Sequence, residues 1–198
     1  VRVHFLTHPE VVIDPEVPVS EWGLSERGRE RAQLAGSALR GISAVWSSPE
    51  VKAEQAAQVI ADELALPVVL AGGLAEVDRR ATGYLPEPDF WANYQEFLDR
   101  PTHSARGWET AVDAQRRIVS AVEQIVEAVE VDQGVDADIV LMSHGGVGAL
   151  LLCQLSGTPI QRLVNQPGQG SLFSFDAATR EILHGWQSFE DFARSAAR

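Results

Sequence analysis

The chain has 198 residues, 45% hydrophobic and 22% charged, with 28 acidic against 16 basic side chains and a net charge of −12. That composition is globular and excludes disordered, collagenous and coiled-coil chains, while the negative balance argues against nucleic acid or an anionic membrane as partner. No apolar run approaches the ~20 residues of a membrane span, and the single cysteine, Cys153, excludes internal disulfides and fits a reducing, cytoplasmic setting.

The first apolar stretch, Arg2–Leu6, alternates like a strand and runs at once into Thr7, His8 and Pro9, which does not read as a signal peptide. A loop rich in proline and acid follows, to about Gly23. Ser25 caps a predicted helix to about Arg40, with Leu34, Ala35, Ala38 and Leu39 facing inward. Ile42–Trp46 reads as a second strand. Ser48 as N-cap and Pro49 at the first helical position open the next helix, whose stripe is Ala53, Ala56, Ala57, Ile60 and Leu64. Pro67–Leu70 reads as a short buried strand, followed by a long connection over 71–88 and a helix over Asp89–Leu98. Glu109–Val129 is the longest predicted helix. Ile139–Met142 is a bare apolar run of the kind buried on both faces of a sheet, and Gly146–Leu155 a helix starting in a glycine pair. Ser171–Asp176 and Glu181–Trp186 read as a hairpin about Ala177–Arg180, and the tail from Phe189 as one more helix. With no repeat or linker, residues 1–198 read as a single domain.

Strand and helix alternate at least four times, which predicts a three-layer α/β/α sandwich with a mostly parallel sheet and a C-terminal antiparallel hairpin. Ligands of such sheets sit beyond the carboxyl ends of the strands. After the first strand come Thr7, His8, Pro9 and Glu10; after the second, Ser47, Ser48, Pro49 and then Lys52, the only lysine. After the third come Glu76, Asp78, Arg79 and Arg80; after the fourth, Ser143, His144, Gly145 and Gly146. Two histidines, a carboxylate and several cations therefore meet on one rim. Pro9 restricts His8 to extended backbone and so aims its ring. The glycines after His144 let backbone amides approach an anion at a helix start. Histidines so placed serve as nucleophile, base or metal ligand. The set His8, His144, Asp78 and Glu76 has no His-x-His or His-x-x-x-His pair to support a metal-dependent hydrolase.

In order along the chain stand Leu6-Thr7-His8-Pro9-Glu10, Leu24-Ser25-Glu26-Arg27-Gly28, Ser47-Ser48-Pro49 with Lys52, Leu74-Ala75-Glu76, Gly107-Trp108-Glu109-Thr110 and Ser143-His144-Gly145-Gly146. Over residues 2 to about 156 this resembles the histidine phosphatase superfamily, the phosphoglycerate-mutase-like fold, whose pattern is Arg-His-Gly-Glu, Leu-Ser-x-x-Gly, Ser-Ser-Pro with an arginine in the next helix, Leu-x-Glu, Gly-Glu-Ser and Ser-His-Gly-Gly. The resemblance implies a phosphatase acting through a phosphohistidine on a small phosphate ester or a phosphoprotein. It implies His8 as nucleophile, Glu76 as general acid and His144 as donor to a phosphoryl oxygen, with no metal or cofactor. Phosphoryl transfer needs positioning and positive charge around the equatorial oxygens.

This chain departs from that pattern around the nucleophile. Thr7 stands where the family has arginine, Pro9 where it has glycine, and Lys52 where the next helix has arginine. Thr7 offers one neutral hydroxyl in place of a charged planar fork, so the expected phosphate contacts are Thr7, Lys52 and one or both of Arg79 and Arg80. Glu109 and Arg117 read as a structural ion pair, Glu10 and Asp14 as loop-shaping acids, and Trp108 as core. The competing reading is an anion-binding or interaction protein that kept the fold and lost the chemistry.

Overall fold

The computed structural model describes residues 1–197, and every alternating or bare apolar run found in the sequence forms a strand of one sheet. The strands are β1 (Arg2–Thr7), β2 (Ile42–Ser47), β3 (Val68–Leu70), β4 (Asp138–Ser143), β5 (Ser171–Asp176) and β6 (Ile182–Ser188). The helices are α1 (Glu26–Ala38), α2 (Val51–Leu64), α3 (Glu87–Asp99), α4 (Ala111–Gln133), α5 (Gly145–Ser156) and α6 (Phe189–Ala196). Strand order is β3-β2-β4-β1-β5-β6. The first four are mutually parallel; β5 runs antiparallel to β1, and β6 antiparallel to β5.

Alternation along the strands splits the core into two layers. Val3, Phe5, Ile139 and Leu141 face the layer of α3, α4 and α5, with Phe97, Ile118 and Leu150. Leu6, Val140 and Met142 face α1, α2 and α6, with Ala35, Ile60 and Phe189. Helices α1 and α2 pack through small residues: a Cβ at Gly36 would lie a tight 3.2 Å from Ile60 and Glu63.

Several local expectations are corrected. Pro67–Leu70 is not buried, because β3 is the sheet's edge; Leu70 is 48% exposed. Leu34 lies on the outer face of α1, at 39% exposure. Helix α2 starts later than Ser48 and Pro49 predict, with Glu50 at the N-cap. The Ser48 hydroxyl accepts from the Glu50 amide at 3.2 Å and is otherwise turned toward His144. Helix α4 is capped by Thr110, whose hydroxyl accepts from Asp113, and runs on to Gln133. Among the described residues no helix is long and apolar enough to cross a membrane.

Register brings the chemistry together. Thr7 pairs with Ser143, and Ser47 with Met142, so β1, β4 and β2 end level. The ladder continues one residue further: the His8 amide donates to Ser143 at 3.1 Å and the Ser48 amide to Met142 at 2.9 Å. His8, Ser48 and His144 therefore leave the sheet side by side.

Candidate active site

His8 is held by its own turn. Its Nδ1 lies 2.9 Å from the Pro9 carbonyl, which as an acceptor requires the proton on Nδ1 and leaves the lone pair on Nε2. Proline at position 9 removes an amide donor but keeps the carbonyl that fixes the tautomer. Burial, against the opposing pull of the Pro9 carbonyl, and the charges of Lys52 and Arg79 lower the His8 pKa to about 4, so the ring is neutral at pH 7.

His144 follows β4 at the N-cap of α5 and is fully buried. Its ring meets that of His8 edge-on, centroids 5.2 Å apart. Its Nε2 lies 2.8 Å from Ser48 Oγ and 3.5 Å from Glu50 Oε1. Its Nδ1 has no partner among the described residues. Burial first, then competition with the adjacent His8 ring for a proton and the charges of Lys52 and Arg79, hold it well below the usual histidine range. A fully buried ring nitrogen without a partner is costly unless a ligand meets it.

Glu76 sits on the loop after β3, and that loop is clamped from α4. Arg117 forks onto Glu109, at 3.0 and 2.7 Å, and donates to the carbonyls of Gly73, Ala75 and Glu76. The Glu76 carboxylate lies across the start of α5: Oε1 accepts from Val77 and Val147, Oε2 from Gly146. A side chain at position 146 would put its Cβ 2.6 Å from Glu76 Oε1, so only glycine admits this approach. One lone pair of Oε2 remains open to carry a proton.

The cations divide. Lys52 is buried and points inward; its ammonium donates to the Val19 carbonyl at 2.8 Å and to Glu50 Oε2 at 2.5 Å. Arg79 lies over the rings of Phe90 and Trp108, at 5.2 and 5.6 Å, and borders the same cavity as His8. Arg80, expected beside it as a phosphate contact, does not line the cavity of His8 and Arg79: its side chain is 90% exposed and forks onto Asp78 as the chain enters a turn. Thr7 is corrected too. It is fully buried, and its hydroxyl donates to Gln166 Oε1 at 2.5 Å and accepts from the Ser171 amide at 3.1 Å, so it is spent on the protein.

Two residues escaped the sequence reading. Glu50 stands between Lys52, His144 and the Glu76 amide, which donates to its Oε1 at 2.9 Å. The only signal was an acid beside Pro49. Gln166, fixed by Thr7, reaches over the start of α5, where its amide nitrogen occupies the space a Cβ at position 145 would need. It precedes β5. The residues just beyond the carboxyl ends of the strands do not include it, since an antiparallel strand presents its N-terminal end to this rim. Glu10 pairs with Arg27 and Arg31, and Trp108 is core with its indole donating to Thr82. Among the described residues no group of three or more His, Cys, Asp or Glu side chains is placed to hold a metal ion.

Residues 17–183 match the family model described as histidine phosphatase superfamily (branch 1), a span that begins after the Thr7–His8–Pro9 turn. A search of curated proteins found no match. Solved structures share the fold. A mycobacterial glucosyl-3-phosphoglycerate phosphatase superposes with a TM-score of 0.73 at 21% identity, covering 94% of this chain and 95% of that one. Bacillus stearothermophilus YhfR gives 0.77 at 19%, covering 91% and 93%. A phosphoserine phosphatase from Entamoeba histolytica gives 0.75 at 15%, covering 96% and 98%.

Proposed function

The chain belongs to the histidine phosphatase superfamily, and we propose that it hydrolyses phosphomonoesters through a phosphohistidine on His8. The observation that carries this is the paired state of the two rings. His8 is neutral with its free lone pair on Nε2, and 5.2 Å away His144 is buried with an unpartnered Nδ1. A nucleophile and a phosphoryl-oxygen donor are the two roles such a pair supports.

In the first step Nε2 of His8 forms the N–P bond as the P–O bond to the leaving group breaks. The leaving oxygen takes a proton from Glu76 and departs as the alcohol. In the second step water attacks phosphorus, the N–P bond breaks, and the Glu76 carboxylate takes the water's proton, releasing inorganic phosphate. Lys52, Arg79, His144 and the free amide of Gln166 supply the donors around the equatorial oxygens, two cations and two neutral groups. The pairing of Glu109 with Arg117 keeps Glu76 in place and touches no reacting atom. The single, buried Cys153 accords with a cytoplasmic setting.

Glu50 favours a second reading. Its carboxylate sits on the ammonium of Lys52, which opposes anion binding and accords with a fold that has lost the chemistry. One experiment separates the two. Incubation with nitrophenyl phosphate and an alkaline quench should trap acid-labile phosphate on the chain, and His8→Ala should abolish both trapping and turnover. Turnover that survives in His8→Ala overturns the mechanism; no turnover and no trapped phosphate in the parent selects the second reading.

A further inference from the structure

The cavity that opens from His8 has a volume of about 480 Å³, more than a phosphoryl group fills. Its floor holds the charged groups. Lys52 and Arg79 line it beside His8, and the Glu76 carboxylate accepts from the amides of Gly146 and Val147 with one lone pair of Oε2 left for a proton. The rest of the wall is of another kind. Helix α3 contributes Phe90, Trp91 and Tyr94, and Trp22 and Trp108 complete an aromatic enclosure. The rings brace one another: Phe90 stacks on Tyr94 at 5.8 Å, and Trp91 meets Tyr94 edge-on at 5.9 Å. Trp91 nevertheless remains 54% exposed.

Two side-chain amides face the same space. Asn165 accepts the Tyr94 hydroxyl through its carbonyl at 2.7 Å, and Gln166 accepts that of Thr7. Each is left with an NH₂ group that makes no hydrogen bond among the described residues. Away from Arg79, which lies over Phe90 and Trp108 beside the charged floor, the wall offers flat apolar faces and neutral donors. A charged leaving group entering here loses water and gains no partner. A plain alkyl chain leaves both NH₂ groups unmet and the ring faces poorly covered.

We propose that this cavity takes a phosphate ester whose leaving group is an uncharged ring, seated on Trp91 and met at its edge by the amides of Asn165 and Gln166. As a statement about an ester this rests on the phosphatase reading. As a statement about the cavity it does not, and the test uses ligands that are never hydrolysed. Calorimetry compares phenylpropylphosphonate, butylphosphonate and carboxypropylphosphonate on the parent and on Trp91→Ala; the exposure of Trp91 keeps that variant folded. A pyranose phosphonate is paired with its open-chain alditol to separate a sugar ring from an aromatic one. At least one ring ligand should bind tenfold tighter than its acyclic partner, a difference of about 1.4 kcal/mol. Its advantage should shrink at least fivefold in Trp91→Ala. Equal affinities, tightest binding of the carboxylate, or a ring advantage that survives Trp91→Ala overturns the proposal. Loss of the phosphohistidine with the ring preference intact would remove the phosphatase reading alone.

Discussion

Glu50→Gln removes one negative charge from the site at constant side-chain length. The glutamine carbonyl still accepts the Glu76 amide, now bonded to Oε1 at 2.9 Å. Its NH₂ group faces Lys52, donor against donor, where the carboxylate now sits at 2.5 Å. The ammonium keeps the Val19 carbonyl and turns its free hydrogens to the cavity. Glu50 Oε1 is 3.5 Å from His144 Nε2, so a phosphoryl oxygen hydrogen-bonded to Nδ1 on the far side of that ring is roughly 8 Å from the carboxylate. At an effective dielectric of about 20, each unit of ligand charge is then relieved of ~2 kcal/mol of repulsion. The open cavity admits water and reduces this, and we expect inorganic phosphate to bind at least tenfold tighter. Stability should move the other way. Lys52 is 3% exposed, and breaking a buried pair costs about 3–5 kcal/mol when the remaining charge has no partner; the Val19 carbonyl holds the loss to the lower end. Calorimetric titration of phosphate and thermal melts with and without it read both effects. The variant should melt lower in phosphate-free buffer and gain more from phosphate than the parent does. A variant that melts lower and binds phosphate no better refutes the argument that Glu50 opposes the anion.

Arg79→Ala should weaken phosphate binding at least tenfold, and Arg80→Ala should leave it within twofold of the parent; equal effects of the two on titration would undo their assignment to opposite sides of the loop. Thr7→Val frees Gln166 and should raise KM more than it lowers kcat, by the worth of a neutral hydrogen bond, ~1 kcal/mol, with Thr7→Ser restoring the parent value; no rescue by serine would sink the link to Gln166. Acid should destabilise the fold before most carboxylates titrate. His4 and His8 are buried, and burial chiefly lowers each to about 4, so between pH 6.5 and 4 the unfolded chain binds protons the folded one does not. Stability is therefore full above about pH 6.5 and falls by on the order of 3 kcal/mol per histidine toward pH 4. Urea unfolding across that range checks it, and a flat profile down to pH 4.5 would show that these rings are not held neutral.

Much of the layout was legible because it is local or periodic. The glycine pair after His144, the proline after His8, and the alternation of strand and helix each constrain the backbone within a few residues. They place both histidines at the ends of parallel strands before any contact is known. What the sequence could not show was direction and partnership. Arg79 and Arg80 are neighbours with the same chemistry, and only the packing of Phe90 and Trp108 under one guanidinium separates them. Thr7 reads as a pocket hydroxyl until Gln166, 159 residues away, is found to take it. Glu50 is only an acid beside Pro49 until Lys52 and His144 close around it.

The α/β architecture, the rim at the strand ends and the two histidines on it could be read from residue order, because hydrophobic period, caps and turns act over short stretches of chain. Tertiary structure alone decided the charge state of the site. Burial holds both rings neutral, a carboxylate sits on the one lysine, and an amide from a loop ahead of an antiparallel strand reaches over the start of α5 beside them. Those terms depend on distance and desolvation between residues far apart in the chain, and no pattern of residue types along it encodes them.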